Sequence, residues 1–173
     1  MFNPIFIKTN KILQKFIDIS KYFRYNHWKG GGDMKRSDFV LAVLSVANGA
    51  PHTPVQVQKL FFLIDKKIPE LVGGPHFKHT AYDYGPFDVA VYNELSSLED
   101  TGDLETLNTR VKQYRLTKQG QINGEIFFNS IDSKAQEYIK RLSEFVRSLS
   151  FAQLVSAIYE AYPDMRENSV FRG

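Results

Sequence analysis

Cysteine is absent from the 173 residues of this chain, which excludes disulfides, thiolate zinc sites and cysteine nucleophiles together. Long apolar runs are missing as well. None approaches the roughly 20 residues needed to span a bilayer, and no apolar core with a small-residue cleavage site follows Met1. Phosphate-binding loops, nucleophile elbows and nucleotide-binding signatures are not found. Gly30, Gly31 and Gly32 lack the flanking strand and helix that would make them a phosphate cradle. With an ordinary apolar fraction of 43% and no low-complexity tract, the expectation is a cytoplasmic protein with one packed domain, no membrane association and no enzymatic activity.

The pI near 9.0 points to nucleic acid until the charge is located. Residues 1–33 carry Lys8, Lys11, Lys15, Lys21, Arg24 and Lys29 against Asp18 and Asp33, a net of +4. The whole chain is +3, so residues 34–173 are −1. Basicity belongs to the leader.

Two readings of that leader stand side by side. The series Gly30, Gly31, Gly32, Asp33, Met34 is what a ribosome-binding site read through in frame would encode, so the native protein would begin at Met34. Alternatively, residues 1–33 form a basic amphipathic helix with Ile5, Ile12, Phe16, Ile19 and Phe23 on one face, joined through a glycine linker to a single domain over 34–173.

Beyond Met34 the elements are short and well punctuated. Ser37 is the expected cap of a first helix with Phe39, Val40, Val43, Leu44 and Val46 on its core face, stopped by Gly49. Thr53 and Pro54 open a second helix at the capping and first helical positions. There Val57, Leu60, Phe61 and Ile64 recur at helical spacing, before Pro69, Gly73 and Gly74 end the segment. FKHTAYDY reads as extended, and Pro86 is expected to open a third helix with Val89, Tyr92, Leu95 and Leu98 buried. Gly102 ends it. Strands around LETLNT and VKQYRLT follow, and then Thr117 caps another helix. Three helices and a hairpin in this order are the layout of a winged helix. Two further amphipathic helices, SKAQEYIKRLSEFVRSL and FAQLVSAIYEAY, precede Pro163 and a tail. The fold class is mainly α with a small β-hairpin, winged-helix-like with additional C-terminal helices.

Gln58, Lys59, Leu60, Phe61 and Phe62, the turn Tyr82, Asp83, Tyr84, Gly85, Pro86, and the later Tyr92 resemble the Panacea domain of SocA-like antitoxins and phage-associated proteins. The likeness covers roughly residues 37–105. Tyr114, Arg115, Leu116, Thr117 and Gly120 are similar to the end of a wing in YwgA-like proteins. The resemblance implies a small, helical, non-enzymatic antitoxin or adaptor that neutralises a cognate toxin by direct binding, without a cofactor.

The residues themselves nominate two surfaces. Gly85 and Pro86 constrain the turn so that Tyr84 and Phe87 leave it in defined directions, which suits aromatic binding anchors; the same rings equally suit stapling of helix to hairpin. The expected partner-binding set is Lys59, Tyr82, Tyr84, Gly85, Pro86, Phe87, Asp88 and Glu94, with Lys59 orienting the turn. The helix after the turn carries Asp88, Glu94, Glu99 and Asp100 and no cation, which opposes groove reading by phosphate repulsion. Arg110, Lys112, Arg115 and Lys118 form a basic strip on the wing that suits a phosphate backbone or a solvated hairpin edge, so a winged-helix DNA-binding regulator is the alternative. Of the histidines His27, His52, His76 and His79, the spaced pair His76 and His79 beside Asp83 could suggest a metal. Without a second cluster, no metal site is expected.

Overall fold

The computed structural model describes residues 11–16, 18 and 34–172. Its elements run α1 (Arg36–Ser45), α2 (Pro54–Lys67), a single turn α3 (Pro69–Val72), β1 (Thr80–Tyr82), β2 (Gly85–Phe87), α4 (Val89–Asp100), β3 (Leu104–Asn108), β4 (Lys112–Leu116), α5 (Lys118–Ser130), α6 (Ser133–Ser148), α7 (Phe151–Ala161) and a closing 3-10 turn, Pro163–Arg166. The chain is mainly helical with two antiparallel hairpins, β1–β2 and β3–β4.

Helix α2 runs through the centre. Thr53 accepts from the Gln56 amide while the Gln56 side chain accepts from Thr53 N, a complete capping box with Pro54 at the first position. Every residue from Val57 to Asp65 is buried, because α6, α7, β2 and β4 all pack on it. Helix α1 lies against α5. Thr117 caps α5 by accepting from Gly120 N. A Cβ at Gly120 would lie 1.8 Å from the Asp103 carbonyl oxygen, so only glycine lets this helix start so close to the preceding loop.

Four expectations change. Ser37 is not the cap of α1: Lys35 is the flanking residue and no side chain caps it. The Arg36 guanidinium donates to His76 O at 2.8 Å and lies over Phe77 at 5.3 Å, so tertiary contacts set this start. Pro86 does not open the third helix; it sits in β2, with Ala81 opposite Pro86 and Thr80 opposite Phe87. Asp88 is the cap, accepting from Ala90 N, and the start of the stripe changes: Val89 is 58% exposed and Tyr92 half-buried, while Val91 joins Leu95 and Leu98 in the core. The wing also gains a third member, since His52 and Tyr114 exchange backbone hydrogen bonds at 2.9 and 2.8 Å.

The segment after Pro163 is part of the fold as well. Val170 N donates to Asp83 O at 3.0 Å, Asn168 Nδ2 to Ala81 O at 3.1 Å, and the Tyr159 hydroxyl to Ser169 Oγ at 2.6 Å. The C-terminal strap therefore ties down the first hairpin. At the other end of the chain, residues 11–16 are helical. Leu13 and Phe16 are buried, and the Phe16 ring meets Tyr138 at 5.9 Å and Phe145 at 5.4 Å. Of the leader's expected apolar face, Ile12 and Phe16 pack on the core; Ile5, Ile19 and Phe23 lie outside the described residues, as do Gly30, Gly31, Gly32 and Asp33.

Candidate functional site

Three polar side chains on α2 hold the backbone that follows it. Asp65 accepts from His76 N at 3.1 Å and Phe77 N at 2.9 Å. Burial pushes its carboxyl up, against the opposing pull of those two amides, His76 and Arg36. Gln58 behaves like a strand partner for one residue, donating to Asp88 O at 3.0 Å and accepting from Asp88 N at 3.1 Å. Lys59 Nζ donates to Pro86 O at 3.1 Å. The adjacent Gln58 and Lys59 thus fasten the end of β2 and the start of α4 to the central helix.

The turn is rigid for steric reasons as well. Gly85 has φ +94°, a region that side chains disfavour, and a Cβ there would lie 3.2 Å from Tyr159 Cε1 and 3.6 Å from Lys59 Cε. Gly85 and Pro86 are buried, so they shape the turn and present little surface. Tyr82 and Tyr84 project outward, 51% and 44% exposed. Tyr82 stacks on Phe87 at 4.9 Å, Phe87 meets Tyr92 edge-on at 5.6 Å, and Tyr84 meets Phe151 edge-on at 5.1 Å.

These rings wall a cavity of about 610 Å³ between α2, the first hairpin, α4, the wing tip and the start of α7, with Lys59 and Gln58 also in its lining. A second cavity of about 450 Å³, lined by Ser96, Glu99, Lys112 and Tyr114, shares Pro54 and Tyr92 with the first. The two lie side by side between the hairpin and the wing. Lys59 is 2% exposed, and burial pulls its pKa from 10.5 down to about 7. Near it His79 is held neutral, its pKa lowered to about 4 chiefly by burial.

The acidic set expected on α4 is largely committed within the fold. Both Asp88 oxygens accept backbone amides, Ala90 N at 2.8 Å and Lys78 N at 2.7 Å. Glu94 faces Arg36 at 3.8 Å, and Glu99 accepts from the amide and hydroxyl of Thr106, each at 3.1 Å. Asp100 is exposed at the helix end. On the wing, Arg115 forks onto Glu105 across the β3–β4 pair at 2.9 and 2.7 Å. Lys112 lies over the Tyr114 ring at 5.1 Å, and Arg110 and Lys118 are exposed. His76 stacks on Phe39 with ring centroids 4.0 Å apart and meets Val72 O through Nε2 at 2.9 Å, whereas the His79 ring meets Phe62 and Phe77 edge-on. Among the described residues no group of three or more potential ligands could hold a metal ion, and no helix is long and apolar enough to cross a membrane.

The expected set thus divides. Tyr82, Tyr84 and Phe87 converge on the groove with Lys59 beneath them, while Gly85, Pro86 and Asp88 hold it in shape and Glu94 stands apart on α4. Phe151, Val55 and Val111 complete the lining and were not anticipated. Phe151, the first residue of α7, comes into view only through tertiary folding, although its exposure of 45% follows from its place beside the Ser150 cap. No family model, curated protein or solved structure matches this chain, and the site is read from its own geometry.

Proposed function

We propose that this protein is a non-enzymatic interaction module, an antitoxin or adaptor that neutralises a partner protein by direct binding in the groove beside the first hairpin. The observation that carries this reading is the aromatic rim. Tyr82, Tyr84 and Phe151 are each more than two-fifths exposed around one apolar cavity, the two tyrosines on a turn fixed by Lys59, Gln58 and the C-terminal strap and Phe151 at the start of α7. Rigid, half-buried aromatics bordering a pocket are the side chains that dominate binding energy at protein interfaces, and exposed clusters of this kind mark interaction sites. The likeness of the QKLFF helix and YDYGP turn to Panacea domains supports the antitoxin form of the reading.

A DNA-binding regulator draws less support. Arg115 is already paired with Glu105, which leaves Arg110, Lys112 and Lys118 for phosphates, fewer than the six to ten contacts of a typical strong DNA binder. Co-expression tests the two readings together. The product of a gene adjacent to this one should be toxic alone and harmless with this protein. Tyr82→Ala combined with Tyr84→Ala should abolish protection, and Arg110→Ala combined with Lys118→Ala should preserve it. If no adjacent product is toxic and none co-purifies, the proposal fails.

A further inference from the structure

A lysine is rarely enclosed in a protein without a counter-ion, yet Lys59 is 2% exposed and makes no ion pair among the described residues. An ammonium has three donors, and one is occupied, by Pro86 O at 3.1 Å. Of the polar side chains around it, Gln58 and Asp88 are already engaged, while the buried His79 Nε2 has no hydrogen-bond partner. Gln58 is held in both directions by the Asp88 backbone, and the Asp88 carboxylate by Ala90 N and Lys78 N. His79 is neutral above about pH 5. Lys59 borders a cavity of about 610 Å³ whose walls include Tyr82, Tyr84, Phe87, Tyr92 and Phe151. That volume falls in the range of about 300–1,000 Å³ typical of small-molecule sites.

We infer that the cavity binds a small organic monocarboxylate, its carboxylate on the Lys59 amine and its aromatic or branched aliphatic body against Phe87, Tyr92 and Phe151. A carboxylate supplies the single compensating charge and two acceptor oxygens for the remaining N–H groups, a charge-assisted contact strengthened by the apolar surroundings. A phosphate dianion would bring a second charge, which one amine and these rings would leave uncompensated. The site requires no protein partner and goes beyond the interaction reading, although it shares that groove and the Phe151 ring with it.

Isothermal titration calorimetry on the full chain at pH 6.5 tests it with 3-phenylpropanoate and indole-3-propanoate, each against its primary amide. The acids should bind at least about tenfold more tightly than the amides. Lys59→Met should abolish the advantage of the acid over its amide, and Tyr92→Leu should weaken both alike. As pH rises above about 7, where the free amine loses its proton, acid affinity should fall by up to about tenfold per unit while the amide does not respond. Equal affinity of acid and amide, no binding of either acid, or an acid preference that survives Lys59→Met would each overturn the assignment.

Discussion

Replacing Lys59 by Met should stabilise the protein in mildly acidic solution and destabilise it in alkali. The folded-state pKa is about 7 against 10.5 for an ordinary lysine. Below pH 7 the amine is charged in both states, and the folded chain bears the full cost of an enclosed charge. At about 1.4 kcal/mol per pKa unit this amounts to roughly 5 kcal/mol. Between pH 7 and 10.5 the unfolded chain holds a proton that the folded chain lacks, so wild-type stability rises with pH and the cost fades. Met has similar length and no charge, but it leaves Pro86 O without its donor, a loss of about 1–3 kcal/mol for a buried carbonyl. The variant should therefore gain about 2–4 kcal/mol at pH 6 and lose about 1 kcal/mol at pH 10. Urea unfolding of both proteins at the two pH values reads the difference directly, with equal m-values confirming that only stability has changed. A variant less stable than wild type at pH 6 by the same margin as at pH 10 would refute a buried charge at Lys59.

Gly85→Ala should destabilise by about 2 kcal/mol or more, from the positive φ and the 3.2 Å approach to Tyr159, measured by thermal or urea unfolding. Tyr159→Phe removes the hydrogen bond to Ser169; about 1 kcal/mol should be lost, with faster amide exchange at Val170, whose N–H is bonded to the hairpin turn. His52 is 1% exposed and its pKa is lowered to about 3, mainly by burial and secondarily by Arg147. Below pH 6.5 the unfolded chain takes up a proton that the folded chain refuses, so stability should fall with decreasing pH by up to about 1.4 kcal/mol per unit from this residue alone. His52→Gln should flatten that slope in urea titrations from pH 7 to pH 4, and an unchanged slope would contradict the assignment.

What could be read from the sequence was what neighbouring residues decide. Thr53 and Pro54 specify the start of α2, and Thr117 specifies α5 in the same way; both starts stand as expected, the Gln56 half of the first cap appearing only in the structure. The hairpin β3–β4 stands where strands were expected, around LETLNT and VKQYRLT. Features set by distant contacts were not legible. Arg36 reaching His76 moved the first helix start, and pairing of Thr80 with Phe87 drew Pro86 into a strand. The sequence nominates Lys59 to orient the turn but does not mark it as buried, and only the packing of Gly85 and Tyr159 around α2 makes it a buried amine. The segment after Pro163 reads as a polar tail because its anchoring runs through backbone groups of Ala81 and Asp83, on which residue type leaves little trace. Tyr82, Tyr84 and Phe87 were recognised, and the residues that complete their groove, Phe151 and Val111, lie too far along the chain to be linked to them by pattern.

The aromatic rim of Tyr82, Tyr84 and Phe151 is the proposed contact surface for a partner protein. Its most direct test is growth protection by co-expression with an adjacent, toxic gene product, comparing wild type with the folded Tyr82→Ala, Tyr84→Ala double variant. Protection by wild type and loss of protection by the variant, at equal soluble levels, is the predicted result. Full protection by the double variant would contradict the assignment of this surface.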